Sequence, residues 1–333
     1  MKIISNKHYE IRIGNDVLTS FDYSSYSKIA ILVDENTKKY CLNKFIDNSN
    51  INNNYIIIDI KSGEIHKNIS TCNYIWEKLI ENNFDKKSLL INLGGGVIGD
   101  MGGYCASSFK RGIEFIHVPT TLLGMVDASI GGKLGVNFKN LKNQIGIFNN
   151  PASVIINPEF LKTLNQKQIN SGFAEILKHA LISDKKEWKK LKALSIHEIK
   201  WEEIIYTSAK IKHDLIIQDP KEKNVRKKLN LGHTYGHAIE SYYLDKNTPI
   251  LHGQAILMGI LLELEISKIN VDEKNEIKEY ILSNFELPFL PKRKELIKYL
   301  IQDKKNKDDK INFSLLDKIG SCCINVLIDK NEL

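Results

Sequence analysis

The stretch Ser88-Leu-Leu-Ile-Asn-Leu93 is an apolar run, and Gly94-Gly-Gly-Val-Ile-Gly-Asp100 follows it without a gap. The run predicts a buried β-strand, and the glycines fit the pattern G-x-G-x-x-G, which joins a strand to a helix. Glycine lets the backbone turn sharply and approach a pyrophosphate, and the amides of a helix N-terminus attract phosphate. A tight turn without a ligand fits this pattern alone about equally well. The stretch therefore predicts an α/β fold, with a dinucleotide site as a hypothesis.

Three further apolar runs lie at residues 29–33, 55–60 and 113–118. Helical patterns lie between most of the four runs, as at residues 70–82. Strands that alternate with helices predict a Rossmann-like parallel sheet that is covered on both faces. Asp34 follows the first run, where a carboxylate can accept hydrogen bonds from ribose hydroxyls. This acid precedes the glycine turn instead of following it, which indicates a variant topology.

The second half of the chain has a different character. Glycine becomes sparse beyond about residue 158, and helical periodicity dominates at residues 172–183, 201–218, 231–243 and 252–268. Two short strand-like runs follow, at residues 311–316 and 323–328. We predict an α/β domain at residues 1–158 and a mostly α-helical domain at residues 159–333.

Composition narrows the class of protein. The net charge of +7 comes from lysines spread along the chain, without the clustering that nucleic-acid binding needs. The five cysteines form no CxxC pair, which indicates buried thiols in a reducing compartment. The sequence has no signal-peptide pattern and no run of about 18 apolar residues. These features predict a cytoplasmic protein that binds small anionic molecules, not nucleic acid or a membrane.

A second group of residues suggests a metal site. His233 and His237 are four residues apart in a helical pattern, and His252 begins the next apolar helix. Glu175 and Lys178 form a carboxylate and lysine pair one turn apart. Two histidines and a carboxylate leave open positions on Zn²⁺ for water or substrate hydroxyls. Histidines at this spacing also occur as plain packing residues, and spacing does not decide between His237 and His252 as the third ligand.

The segment from Pro119 to Asn137 combines hydroxyls, an acid, paired glycines and Lys133, and Lys142-Asn143 follows shortly after it. Lysine next to glycine and asparagine offers an anion a point charge and accessible donors. A long surface loop with routine charges is the alternative. The density of glycine and hydroxyl residues in a glycine-poor chain favours a phosphate site.

Seven motifs in order resemble those of the 3-dehydroquinate synthases, which are sugar-phosphate cyclases. They are Gly-Gly-Gly-Val-Ile-Gly-Asp at 94–100, Lys-Arg-Gly at 110–112, Val-Pro-Thr-Thr-Leu-Leu at 118–123, Val-Asp-Ala-Ser-Ile-Gly-Gly-Lys at 126–133, Gly-Phe-Ala-Glu-Ile-Leu-Lys-His at 172–179, Leu-Asn-Leu-Gly-His-Thr-Tyr-Gly-His-Ala at 229–238 and His-Gly at 252–253. The resemblance runs from about Asp34 to the end of the chain. It implies the dehydroquinate synthase-like fold, with NAD and a divalent metal as cofactors.

The resemblance also implies site residues. It implies Glu175, His233 and His252 as ligands of Zn²⁺, with Co²⁺ as an alternative ion, and His237 as a substrate residue. The positions that match NAD contacts are Asp34, Ser62, Gly63, Glu64, Ile65, His66, Lys67, Gly96, Val97, Ile98, Gly99, Asp100, Thr120, Thr121, Asp127, Lys133, Lys142, Phe160, Leu161, Lys162 and Thr163. The positions that match substrate contacts are Arg111, Lys133, Asn143, Lys178, Lys212, Arg226, Asn230 and His237, together with one of Lys304 and Lys305. The family contributes the residue matching Arg111 from a neighbouring subunit, which implies a homodimer.

The implied reaction converts 3-deoxy-D-arabino-heptulosonate 7-phosphate into 3-dehydroquinate and phosphate, in the shikimate pathway of aromatic amino acid biosynthesis. It proceeds by transient oxidation with NAD, phosphate elimination, reduction and intramolecular aldol closure. The alternatives are another sugar-phosphate cyclase, a metal-dependent polyol dehydrogenase and an inactive relative. Two positions depart from the family pattern: Gln254 stands where glutamate is usual, and Leu134 replaces a commoner threonine.

Overall fold

The computed structural model describes residues 1–51, 54–139, 141–194, 199–301 and 310–333, which divide into two compact units. The first unit comprises Met1–Asn165 and Trp201–His213, and the second comprises Gln166–Lys200 and Asp214–Leu333. The domain division after residue 158 stays a prediction, because compactness alone does not measure independent folding.

A mostly parallel sheet forms the centre of the first unit. Within the described residues it has seven strands in the order β1-β2-β9-β6-β5-β3-β4, and only β1 pairs antiparallel, with β2. A separate antiparallel hairpin pairs β7 with β8. The strands are β1 (Lys2–Ser5), β2 (Glu10–Ile13), β3 (Ile29–Asp34), β4 (Tyr55–Ile60), β5 (Leu89–Gly94), β6 (Glu114–Pro119), β7 (Lys133–Phe138), β8 (Leu141–Phe148) and β9 (Ser153–Ile156).

Helices cover this sheet, and its central strands are buried. Every residue of β5 is buried, which explains why its sequence is a continuous apolar run. A side chain at Gly102 would overlap with Asn92 Oδ1 and lie 2.7 Å from Leu32 Cδ2, so only glycine lets its helix lie this close to the sheet. The helices of the first unit are α1 (Glu35–Tyr40), α2 (Leu42–Asp47), α3 (Ile69–Glu81), α4 (Gly96–Ser108) and most of α7 (Trp201–Gln218).

The predicted α/β class is confirmed, with two corrections. The predicted sheet is parallel throughout, whereas β1 is antiparallel, and the sequence did not predict β1, β2, β9 or the β7–β8 hairpin. Strands β1, β2 and β9 have only four residues each, and strands this short depend on a partner that supplies hydrogen bonds. The segment Pro119–Asn137 is not one long loop, because it contains a π-helical turn at Gly124–Ala128 and most of β7.

The second unit is mostly helical, as predicted. Its helices bury an apolar core that includes Tyr235, Met258, Leu296 and Phe313. No helix in the described part of the chain is long and apolar enough to cross a membrane. The elements of this unit are α5 (Gln166–Ser183), α6 (Lys185–Lys192), the end of α7, α8 (His233–Asp245), α9 (His252–Ile266), α10 (Val271–Asn284), α11 (Arg293–Leu300), β10 (Lys310–Lys318) and β11 (Ser321–Asp329).

Candidate cofactor and substrate sites

Most of the predicted NAD residues lie where parallel strands of the first unit end. Because β3, β4, β5, β6 and β9 are parallel, their carboxyl ends meet at one edge of the sheet. That edge is where open α/β sheets bind their ligands. The residues at this edge are Asp34 at the end of β3, Ser62–Lys67 after β4, Gly96–Asp100 after β5, Thr120 and Thr121 after β6, and Phe160–Thr163 after β9.

The glycine turn after β5 leaves the start of α4 open to an anion. Gly95 is the N-cap of α4, and glycine has no side chain that could cap the first amides of this helix. These amides carry the positive end of the helix dipole, which favours phosphate. A Cβ atom at Gly95 would lie 3.0 Å from Thr121 Cγ2, so glycine lets the turn approach the end of β6.

A buried lysine connects two of the predicted residues. Lys67 Nζ donates hydrogen bonds to Asp100 Oδ2 at 2.5 Å and to Asn143 Oδ1 at 2.7 Å. Burial raises the pKa of Asp100, although the charge of Lys67 opposes this shift. Asn143 belongs to β8, so Lys67 joins the segment after β4 to the hairpin.

Other predicted residues of the first unit lie on α7, the π-helical turn and the hairpin. Lys212 is buried on α7, and its Nζ donates to Asp127 Oδ1 at 2.7 Å and to the Asp127 carbonyl oxygen at 2.6 Å. Lys133 and Lys142 lie exposed on β7 and β8. Arg111 is also exposed, in a turn after α4 where its φ is 64°.

Three side chains in the second unit form a candidate metal centre. Glu175 from α5, His233 from α8 and His252 from α9 each offer one ligand atom, and these atoms lie within 4.8 Å of one another. Nε2 of His252 lies 3.3 Å from Glu175 Oε1, and Nε2 of His233 lies 3.7 Å from it. The Glu175 carboxylate is fully buried. Two imidazoles and one carboxylate fit Zn²⁺ and leave further positions open.

In both His233 and His252, the Nδ1 atom faces a hydrogen-bond acceptor. Nδ1 of His233 lies 3.2 Å from the carbonyl oxygen of Leu231, and Nδ1 of His252 lies 3.4 Å from Glu240 Oε1. An acceptor at Nδ1 holds the proton there and leaves the Nε2 lone pair for a metal. His237, which spacing left open as a ligand, is outside the group of three, and its ring centre lies 5.3 Å from that of His233.

Positively charged neighbours keep Glu175 ionised, which is the form of a carboxylate that binds a metal. Burial alone would raise the pKa of the Glu175 carboxyl group, but Lys178 and His252 outweigh it, so the pKa is lowered. Lys178 is buried and forms an ion pair with Glu175 Oε2. Burial would lower the pKa of His252, whereas Glu240 and Glu175 raise it to about 10. The negative charges of Glu240 and Glu175 therefore stabilise positive charge at His252.

The loop before α8 holds two predicted substrate residues. Arg226 is buried, and its Nη1 donates to the carbonyl oxygen of Pro220 at 2.7 Å. Asn230 Nδ2 donates to Glu222 Oε1 at 2.7 Å. Asp219 organises this loop, because its carboxylate accepts hydrogen bonds from the backbone amides of residues 223, 224 and 226. Burial would raise the pKa of Asp219, but these donors outweigh it and lower the pKa.

Sequence reasoning missed three residues around these sites. Glu240 lies beside His252, Asp219 organises the loop of Arg226, and Asn137 contacts the segment after β4. Glu240 stands in the same motif as His237, and that proximity was the only available signal. Lys304 and Lys305, one of which was predicted to contact substrate, lie outside the described residues.

Comparisons with known proteins identify the family. The family model "3-dehydroquinate synthase N-terminal" matches residues 57–171, and "3-dehydroquinate synthase C-terminal" matches residues 172–306. A 3-dehydroquinate synthase of Parabacteroides distasonis is 37% identical over 317 residues, which cover 92% of this chain and 90% of the relative. One of Campylobacter concisus is 42% identical over 284 residues, covering 83% and 81%.

A solved structure shows the same fold. The 2-epi-5-epi-valiolone synthase ValA from Streptomyces hygroscopicus subsp. jinggangensis 5008, with NAD⁺ and Zn²⁺ bound, superposes with a TM-score of 0.84. The superposition covers 100% of this chain and 96% of ValA, at 21% sequence identity.

The α/β unit, the helical unit and these matches define a sugar-phosphate cyclase with the dehydroquinate synthase-like fold. Within this class the chain belongs to the 3-dehydroquinate synthase family. It has 3-dehydroquinate synthase activity and is therefore a phosphate-eliminating lyase. This family and activity exclude the alternatives of a polyol dehydrogenase and of an inactive relative.

Proposed function

We propose that the chain converts 3-deoxy-D-arabino-heptulosonate 7-phosphate into 3-dehydroquinate with NAD at the sheet edge of the first unit. We propose Zn²⁺ or Co²⁺ at Glu175, His233 and His252. The observation that carries this proposal is the convergence of these three side chains from three helices, each histidine having an acceptor at Nδ1. When bound, NAD⁺ supplies a regenerated hydride acceptor, and the metal supplies a Lewis acid for substrate hydroxyls.

The chain's own residues would bind and orient the substrate. The buried guanidinium of Arg226 suits the substrate carboxylate, because planar bidentate donors match carboxylate oxygens. Lys212 and Asn230 are proposed as further donors to the substrate. Lys133 and Asn143 are proposed donors to the phosphate group, together with His237. A cationic phosphate pocket both binds the leaving group and orients it for elimination.

Two further proposals concern the protein as a whole. We propose a homodimer in which Arg111 reaches the site of the neighbouring subunit. The exposure of Arg111 and its positive φ, a conformation that costs a non-glycine residue free energy, support a role beyond packing. We propose a cytoplasmic location, which the five free cysteines support.

The decisive experiment measures phosphate release from 3-deoxy-D-arabino-heptulosonate 7-phosphate with NAD⁺ and Zn²⁺, before and after chelation. We expect chelator-sensitive release of phosphate and no net accumulation of NADH, because NAD is regenerated in each turnover. Phosphate release that survives complete removal of the metal would contradict the proposed metal centre. Stoichiometric accumulation of NADH would contradict the regeneration of the cofactor.

The Arg226→Leu variant tests the substrate carboxylate. We expect kcat/KM to fall by about two to three orders of magnitude, because losing one partner of a buried charge pair costs about 2–5 kcal/mol. Steady-state phosphate release gives kcat/KM, and Arg293→Leu on α11 is the matched arginine control, with kcat/KM close to the wild-type value. An Arg226→Leu enzyme with wild-type kcat/KM would remove Arg226 from the substrate site.

The Glu240→Ala variant tests the orientation of His252. Loss of an acceptor behind a metal-binding histidine typically weakens metal affinity by about 10–100-fold, and we expect a loss of that size. Competition with a fluorescent chelator measures Zn²⁺ affinity without reference to activity. Glu240→Gln retains an acceptor without the charge and should lie between wild type and Glu240→Ala. Glu279→Ala on α10 is the exposed control, and equal affinity for all four proteins would contradict the role of Glu240.

A further inference from the structure

Asn137 lies within strand β7, and its hydrogen bonds connect two segments that are predicted to bind ligands. We propose that Asn137 is a positioning residue that couples NAD binding at Ser62–Lys67 to phosphate binding at Asn143. This inference rests on the proposed function, because NAD and phosphate contacts at these positions are themselves proposals. It adds to that function a positioning residue and a thermodynamic link between the two binding events.

The first half of the connection joins Asn137 to the segment after β4. Asn137 Nδ2 donates to Glu64 Oε1 at 2.8 Å and to the Glu64 carbonyl oxygen at 3.3 Å. The backbone amide of Asn137 donates to the carbonyl oxygen of Lys67 at 2.9 Å. Three hydrogen bonds from one residue therefore hold the segment Ser62–Lys67 against the hairpin.

The second half joins Asn137 to Asn143 across the hairpin. Asn137 Oδ1 accepts the backbone amide of Asn143 at 2.9 Å. The β7–β8 pairing shifts register between Val136 and Phe138, so Asn137 lies at an irregularity of the strand. Irregularities of this kind redirect a side chain away from the regular pleat. Asn143 has a φ of 50°, a conformation that asparagine tolerates better than most residues and that a hydrogen bond to its amide helps to hold.

Lys67 closes the network into a ring. Its Nζ donates to Asn143 Oδ1 at 2.7 Å, the Asn143 amide donates to Asn137 Oδ1, and the Asn137 amide donates to the Lys67 carbonyl oxygen. A displacement of any one member strains the hydrogen bonds of the other two. An asparagine suits the central position, because its side chain donates at Nδ2 and accepts at Oδ1 at the same time.

The ring predicts positive coupling between the two ligands. A ligand that orders Ser62–Lys67 also orders Asn143, so the second ligand loses less conformational entropy when it binds. Thermodynamic linkage requires the same coupling factor in both directions, and such factors are typically about 5–150-fold. We therefore expect inorganic phosphate to tighten NAD⁺ binding at least about fivefold in the wild-type protein.

The test is isothermal titration of the full chain with NAD⁺, with and without saturating inorganic phosphate. In Asn137→Ala we expect the ratio of the two NAD⁺ dissociation constants to fall to about one, because the ring is open. Asn137→Asp retains the acceptor for the Asn143 amide and loses the donor to Glu64. It should weaken NAD⁺ binding while the KM for the phosphorylated substrate stays close to the wild-type value.

Controls separate this inference from simple destabilisation and from the proposed function. Asn284→Ala on α10 removes an exposed asparagine whose side chain donates to the carbonyl oxygen of Tyr280 in its own helix, and it should keep the wild-type ratio. Thermal melting identifies a variant that fails to fold, in which case the NAD⁺ affinity and KM of Asn137→Asp test the positioning role of Asn137. Wild-type NAD⁺ binding that ignores phosphate, or an Asn137→Ala ratio equal to wild type, would overturn the coupling alone. Absence of NAD⁺ binding to the wild-type chain would overturn the proposed function as well.

Discussion

Replacement of His233 by alanine is expected to lower kcat by about a thousandfold or more and to release the divalent metal. Lewis-acid stabilisation by a metal is worth several kcal/mol, and each 1.36 kcal/mol corresponds to a factor of about ten. His233 is one of three converging ligands, and its Nε2 lies 3.7 Å from Glu175 Oε1. Alanine removes that nitrogen, and the remaining carboxylate and imidazole hold an ion much less tightly.

Two measurements on His233→Ala test this prediction. Elemental analysis after gel filtration reports bound Zn²⁺, and phosphate release reports turnover. His8→Ala is the matched control, because His8 is exposed and lies outside both candidate sites. Full zinc content together with full activity in His233→Ala would rule out His233 as a ligand. Normal zinc content with lost activity would instead assign it a role toward the substrate.

Replacement of Gly253 by alanine is expected to destabilise the second unit and to disturb the metal centre at once. A Cβ atom at Gly253 would overlap with the carbonyl oxygen and Cα of Ser171 and lie 2.7 Å from its carbonyl carbon. These are backbone atoms of α5, so no side-chain rotation relieves the clash. Helix α9 would have to move away from α5, and His252 would then move away from Glu175. Overpacking costs about 1–3 kcal/mol and occasionally more, and we expect the upper end.

Chemical denaturation and chelator competition together test Gly253→Ala. We expect a loss of about 3 kcal/mol in the free energy of unfolding and at least tenfold weaker Zn²⁺ binding. Gly236→Ala is the graded comparison, because the nearest atom to its added Cβ, at 2.9 Å, is the flexible end of the Ile256 side chain. It should cost clearly less. Equal, small effects in both variants would show that α9 has room to move without consequence.

Much of the fold followed from local sequence patterns. The strands β3, β5 and β6 are apolar runs because both faces of a covered parallel sheet are buried. Their positions and that of β4, at the end of the sheet, were predicted within a residue or two. The strand β2 reads Glu-Ile-Arg-Ile and is only four residues long. Its pairing with β9 joins residues more than a hundred positions apart, and no local pattern contains that information.

In the candidate sites, too, the sequence predicted some features and the tertiary structure decided the others. The sequence by itself determined the glycine turn, the helical spacing of His233 and His237, and the residue types that suit phosphate, carboxylate and metal. Spacing along one helix did not distinguish His237 from His252, because the group at Glu175 draws its members from three helices.

Gln254, which stands where glutamate is usual in the family, accepts a hydrogen bond from the Leu251 amide and caps its helix. The carboxylate beside His252 Nδ1 is Glu240 from the preceding helix. Only the tertiary structure decided these partners, and with them the ring around Asn137. Backbone geometry fixes which residues share a face within one element. Contacts between elements distant in the chain depend on how all of their surfaces pack together.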